Sequence, residues 1–319
     1  MKKIYILFAC IAFLPLHAHS TIMKIPVGFG VDFCTSMAYV KDIEFLIKND
    51  SEWKKFKSLY DQHVINNLQY KEKRIPKIIH QIWLGSPLPK KYKKFQKTWI
   101  KHNPDWEYKL WTDKEIAELN LTNKQMYEAE SNYGAKSDIA RYEILYRFGG
   151  LYVDTDFECL KPFEIFNHCF DFYVGIYFTR YKINNAIIGS ISHHPILKEC
   201  IETLNTERKL YDTSDHNIIH NTGPIHLYKA FIKHCQNCSD SCVAFPSGYF
   251  YPWPFTFLKE NKKNQRNKWI RPESFAIHHW HLSWSEEKSE NIPCHPELIS
   301  PIECKKNSAR KRAASQSNK

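Results

Sequence analysis

No apolar stretch of this chain reaches the roughly 20 residues that a membrane-spanning helix needs. The longest, Ile4 to Leu16, covers thirteen residues. With the basic lead Met1-Lys2-Lys3 before it and small residues at Ala18 and Ser20 behind it, the run reads as a secretory leader over residues 1–20, with a permanent anchor the less favoured alternative on length. No internal repeat is present, which excludes solenoid and propeller arrays. The last fifteen residues contain no acid. There Lys305, Lys306, Arg310, Lys311, Arg312 and Lys319 carry six of the eleven excess charges, and Lys2 and Lys3 carry two more, leaving +3 for the body of the chain. The basicity is therefore mainly terminal, and nucleic acid is not an expected partner. Residues 291–319 read as a disordered, solvated tail, with peripheral attachment to a membrane surface as its alternative role.

A second pair of zinc ligands is also missing. Cys235-x-x-Cys238-x-x-x-Cys242, with His234 beside it, offers one cluster where a complete structural site needs four ligands at settled spacing. A disulfide-bearing loop is the better reading, and ten cysteines, nine without Cys10, fit an oxidising compartment. Sequons at Asn49, Asn120 and Asn237 matter only where glycosylation machinery exists.

At 319 residues and 43% hydrophobic content, the chain can bury a large core. Residues 21–74 carry Ile43, Leu46, Ile47, Trp53, Phe56, Leu59 and Tyr60 at helical spacing and read as a helical preamble. The main domain is expected over 75–290. It opens on a buried strand, Ile78-Ile79-His80-Gln81-Ile82, ending at Trp83, a residue open to two readings: core, or a flat ring for a nucleobase. A turn and a second strand follow from Asn103 to Trp111, with Asp113 expected to cap the next helix.

The most informative stretch runs from Ala135 to Asp156. Ser137 or Asp138 can cap a helix, Ile139, Tyr142, Leu145 and Phe148 recur at helical spacing, and Gly149-Gly150 allows the left-handed exit that helix ends favour. Leu151-Tyr152-Val153 then forms a short buried strand. On such a strand Asp154 and Asp156 point to one side, with Cα atoms roughly 6.5 Å apart. Carboxylates at the carboxyl end of a strand in an open α/β sheet lie where such sheets bind ligands, and their oxygens suit Mg²⁺ or Mn²⁺ carrying a diphosphate. Bare Asp-x-Asp pairs are mostly just solvated, and Asp138 and Arg141, three apart on a helix, can simply pair with each other.

The run Ser-Asp-x-x-Arg-Tyr-x-x-Leu-Tyr-x-x-Gly-Gly-x-Tyr-x-Asp-x-Asp from Ser137 to Asp156 resembles the core signature of glycosyltransferase family 32. That family includes the yeast initiating α-1,6-mannosyltransferases and bacterial polysaccharide enzymes, and is distantly similar to the catalytic domain of the large clostridial glucosylating toxins. Ile-Pro-x-Ile-Ile-His-Gln-Ile-Trp, ending at Trp83, matches it as well, and the resemblance covers about residues 75 to 284. It implies a GT-A-type α/β fold with a Rossmann-like mixed sheet. It also implies transfer of a hexose, with retention, from a UDP- or GDP-sugar to a glycan, lipid or protein acceptor.

On that reading Asp154, Asp156 and Arg141 serve catalysis, Trp83, Asp138, Arg141 and Asp154 hold the donor, and Asn185, Ser190 and Trp284 lie on the acceptor side. The metal, Mn²⁺ or Mg²⁺, rests on Asp154, Asp156 and a nitrogen from Phe275-Ala-Ile-His278-His-Trp-His281. His278 is the first candidate, because on a strand it shares a side with Trp280, and His281 is the alternate. A phosphatase of the haloacid dehalogenase type wants Thr where Glu158 stands. A secreted carbohydrate-binding protein that has lost turnover is the remaining alternative, and the intact Asp138, Arg141, Asp154 and Asp156 speak against it.

Overall fold

The computed structural model describes residues 24–37, 40–72, 74–177, 182–204, 214–235, 241–254, 266–281 and 283–285. The expected leader, Cys238, the Asn237 sequon and the basic tail lie outside these residues.

Three helices come first: α1 (Phe33–Ser36), α2 (Ile43–Asn49) and α3 (Ser51–Tyr60), with a π-helical turn over Asp61–Asn66. The Asp50 carboxylate starts α3 by accepting from the backbone N–H groups of Glu52 and Trp53. Trp53, Phe56 and Tyr60 form its buried stripe, in the same apolar cluster as the sheet.

There follow β1 (Ile78–Ile82), α4 (Lys90–His102), β2 (Glu107–Trp111), α5 (Asp113–Glu118), α6 (Lys124–Ala129), α7 (Tyr133–Phe148), β3 (Gly150–Val153), β4 (Phe157–Cys159), α8 (Glu164–Cys169), β5 (Phe172–Ile176) and β6 (Ile183–Ser190). The described chain continues with α9 (Pro195–Thr203), α10 (Ser214–Asn221), α11 (Pro224–His234), β7 (Cys242–Phe245), α12 (Ser247–Phe250), α13 (Arg266–Trp269) and β8 (Ala276–His278).

Six strands form one sheet in the order β2-β1-β3-β6-β5-β7, in which β6 alone runs against its neighbours. A separate two-stranded ribbon pairs β4 with β8, antiparallel, and sets Phe157 opposite His278. The α/β class and mixed sheet expected from the sequence are what the chain adopts. Among the described residues no helix is long and apolar enough to cross a membrane.

Helix α7 passes through the interior, with every residue from Asp138 to Leu145 buried. Its polar residues must therefore find partners. Glu143 accepts from the backbone N–H groups of Thr122 and Asn123, pinning the start of α6. At its end Gly149 and Gly150 take φ of 62° and 103°, conformations that side chains disfavour. A Cβ on Gly150 would also meet the Ile78 carbonyl oxygen at 2.7 Å.

Three local expectations change. The helix starts earlier than Ser137, since Asn132 caps it by accepting from Gly134 N–H at 2.7 Å. The cap of α5 is Thr112 in a capping box with Glu115, while Asp113 accepts from Gly85 N–H at 2.8 Å. Strand β3 stops at Val153, and Asp154-Thr155-Asp156 is a turn closed by Phe157 N–H donating to the Asp154 carbonyl at 3.1 Å. The turn forms because the chain leaves the large sheet there and joins the ribbon.

Cys159, Cys169 and Cys200 are free thiols buried in the core, and burial pushes the thiols of Cys159 and Cys169 up to about 12. These three pack as small apolar groups. The His234 ring of the zinc reading lies 3.1 Å from Glu199.

Candidate active site

The Asp154–Asp156 turn is fixed from two sides. On the large sheet, Asp154 N–H donates to the Ala186 carbonyl at 2.9 Å, and its own carbonyl accepts from Gln81 Nε2 at 3.2 Å. On the ribbon side, His278 Nε2 lies 3.1 Å from Asp156 Oδ1, His281 N–H donates to Oδ2 at 2.8 Å, and His279 N–H donates to the Asp156 carbonyl at 3.1 Å. The two carboxylate residues of the turn are thus held by segments far apart in sequence.

Arg141 approaches from α7. Its guanidinium donates to the Asn185 carbonyl at 2.6 Å, pairs with Asp138 at 3.0 Å and Asp154 at 3.4 Å, and lies 4.4 Å over the Tyr152 ring. Asp138 is completed by Asn185 Nδ2 at 2.8 Å and Thr222 Oγ1 at 3.0 Å. A buried charge network of this kind is stable only when fully partnered, and this one is.

The carboxyls are tuned apart. Burial lifts Asp138 to about 6, against the opposing pull of Arg141. Burial also raises Asp154, partly offset by Arg141. For Asp156 burial works the same way, but the His278 ring and the His281 N–H outweigh it and hold the carboxyl well below the usual range.

These groups face a cavity of about 510 Å³. Trp83 lines it half-exposed, with Nε1 donating to Ser86 and its ring 4.8 Å from Tyr92, so it is not a core residue. Trp284 lines it too, its carbonyl accepting from Asn132 Nδ2 at 2.8 Å, and a Cβ on Gly134 would meet its side chain at 2.6 Å. Asn185 lies at the Asp138–Arg141 network rather than apart from it. Ser190 lies outside the cavity. It is fully buried and pairs with Gly150 at the other end of β6. The His281 ring points to Tyr92 and Phe95, and only its backbone reaches Asp156.

Among the described residues, Asp154, Asp156 and His278 form a group able to hold a metal ion, each offering one ligand atom within 4.8 Å of the others. One contributor escaped the sequence reading. Tyr152 donates to Asp154 Oδ1 at 2.7 Å, which strand alternation could have suggested, since the two stand two residues apart. Thr222, in the helix start Thr222-Gly223-Pro224 that the sequence also places on the acceptor side by resemblance, reaches Asp138 from the turn before α11.

Residues 89–172 match the family model described as the glycosyltransferase sugar-binding region containing a DXD motif. Inositol phosphoceramide mannosyltransferase 3 of Schizosaccharomyces pombe is 29% identical over 188 residues, 57% of this chain and 51% of the relative. Inositol phosphoceramide mannosyltransferase 2 of the same yeast is 31% identical over 160 residues, 48% and 45% respectively. The chain spans about half the length of these curated relatives. Among solved structures, the PaToxG glycosyltransferase is 21% identical with a TM-score of 0.44, over 61% of this chain and 80% of that one. The matched region contains the whole Ser137–Asp156 run, so over that stretch the chain is similar to glycosyltransferases that carry a DXD motif in their sugar-binding region.

Proposed function

We propose that the cavity binds a nucleotide-diphosphate hexose and a divalent cation and transfers the hexose, with retention, to a glycan, lipid or protein acceptor. The single observation that carries this reading is the convergence of Asp154, Asp156 and His278 beside the fixed guanidinium of Arg141. Mannose is the first hexose to test, because the relatives are named mannosyltransferases. The sequence-level GT-A assignment, the leader over residues 1–20 and action in an exported compartment belong to the same proposal.

The donor set fits a cation. His278 Nδ1 is buried without a partner, so the ring proton held between Nε2 and Asp156 Oδ1 can move to Nδ1 when a cation takes its place. With the proton on Nδ1, the Nε2 lone pair and the Asp156 carboxylate converge, an arrangement that a divalent ion accepts and that favours Mn²⁺ over Mg²⁺. When bound, the ion neutralises charge on the departing diphosphate. Arg141 adds positive charge already oriented by Asp138 and the Asn185 carbonyl, so little reorganisation accompanies bond breaking. Tyr152 orients Asp154, and Trp83 offers a ring face to the base. A glycoside hydrolase also pairs a raised with a depressed carboxyl, but the Asp138–Arg141 network beside them favours a diphosphate.

Release of nucleoside diphosphate from a panel of UDP- and GDP-hexoses, with Mn²⁺ and then with chelator, tests the reading. One donor should turn over with metal and none without, and that donor at 100 times its dissociation constant should stabilise the fold by about 2.7 kcal/mol. A panel that neither turns over nor stabilises the protein rejects it.

His278→Ala should weaken Mn²⁺ binding at least about tenfold and shift preference toward Mg²⁺, since only oxygens remain. His281→Ala keeps the N–H that touches Asp156 and should leave metal affinity unchanged; the reverse pattern would make His281 the ligand. Trp83→Ala should raise the donor dissociation constant about tenfold or more, the range for base–aromatic stacking. Unchanged donor affinity with reduced stability would assign Trp83 to packing alone.

A further inference from the structure

Helix α4 carries six lysines, Lys90, Lys91, Lys93, Lys94, Lys97 and Lys101, all exposed, and residues 73 to 104 contain no Asp or Glu. At 3.6 residues per turn, Lys90, Lys93, Lys94, Lys97 and Lys101 fall on one face about 17 Å long, opposite the buried stripe of Tyr92, Phe95 and Trp99. Among the described residues none of these lysines pairs with a carboxylate. Lys91 and Lys94 lie over the neighbouring Tyr92 and Phe95 rings, at 4.8 and 4.6 Å.

Apart from those ring contacts and Lys101 in the last turn, the array works against the helix. Lys90 and Lys91 sit in its first turn, where the macrodipole disfavours cations. Lys90–Lys94, Lys93–Lys97 and Lys97–Lys101 are like-charge pairs at i,i+4, which destabilise a helix. A surface that weakens its own element calls for a partner that relieves it.

We propose that α4 docks the protein on an anionic lipid surface. Lysine is a compact hydrated charge suited to a diffuse negative plane, whereas discrete phosphates are better matched by the arginine fork, and α4 has no arginine. Ile100, 47% exposed, stands beside the lysine face as the apolar contact such a surface accepts. Gly85 and Ser86 at the cavity lie a few residues before the helix, so docking brings the cavity close to the lipid. This goes beyond the proposed transfer reaction and does not depend on it.

Full-length protein is sedimented with phosphatidylcholine vesicles and with an equal mixture of phosphatidylcholine and phosphatidylserine. Binding should require phosphatidylserine and weaken with salt. At about fivefold per lysine, K93E/K94E/K97E/K101E should bind more than a hundredfold more weakly. The four Lys→Arg changes should keep binding, as should a chain with its 305–319 cations replaced by Ser. The reversal variant should keep its fold, since all four positions are exposed and it carries no more like-charge i,i+4 pairs than the wild type, and should hydrolyse a soluble nucleotide sugar at the wild-type rate. Equal binding to phosphatidylcholine alone, full binding by the reversal variant, or loss of binding on changing the tail alone overturns the proposal. So does lysine-dependent binding to a duplex oligonucleotide with no vesicle binding.

Discussion

Asp156→Asn is expected to lower transfer at least about a thousandfold, roughly 4 kcal/mol of barrier, while leaving the fold in place. The Asn side chain keeps an oxygen for the His281 N–H, so the turn can stay closed and unfolding free energy should change by less than about 2 kcal/mol. What disappears is a charge. The Asp156 carboxyl is held low in this site, because His278 and the His281 N–H outweigh its burial, whereas Asp154 is raised by burial and already faces Arg141. Metal affinity measured alongside the rate should fall in parallel. Retention of more than about a tenth of the activity, a loss below 1.4 kcal/mol, would remove Asp156 from the metal site.

Arg141→Met carries the second large effect, and it acts on both stability and rate. The guanidinium neutralises Asp138 inside α7, and removing one member of a buried pair typically costs about 3–5 kcal/mol. Asp138 stands at about 6 with Arg141 opposing its burial. Without the guanidinium it rises further and takes up a proton at neutral pH. Turnover should drop at least about a hundredfold, the effect of losing one preorganised donor to developing charge. Chemical denaturation and initial rates on Arg141→Met, Asp138→Asn and the double variant separate the two roles. The double variant should regain much of the stability and none of the rate; recovery of both would make Arg141 purely structural.

The parts of the site readable in the sequence are those fixed by local rules. Gly149 and Gly150 were legible because positive φ selects glycine, and the burial of Ile139, Tyr142 and Leu145 because a helix repeats every 3.6 residues. His278 was legible by alternation from Trp280, although β8 ends at His278 and Trp280 takes φ of 53°, so the strand logic applied to only part of that segment. What depends on distant partners was not legible. Asp154 to Asp156 read as strand end because nothing local reveals that β4 leaves for a ribbon with β8. Ser190 read as a site residue because one sequence cannot give the direction of β6. That strand runs against β3, so its first residues reach the cavity and its last pair with Gly150. The start of α7 was hidden by Gly134, a poor helix former, retained because Trp284 leaves no room for a side chain.

The β4–β8 ribbon has a consequence for the order in which the protein becomes competent. Asp156 and His278 stand 122 residues apart, whereas Asp138, Arg141 and Asp154 lie within one helix–strand unit. During synthesis the phosphate-facing half of the site can form long before β8 emerges, and the nitrogen donor arrives only when the ribbon zips. Its register decides which side chain arrives, because a slip of one residue turns the His278 face away from Asp156. A nascent chain stopped short of residue 276 would thus hold Arg141 without His278, so under the proposed reaction the cation site stays incomplete until β8 has paired.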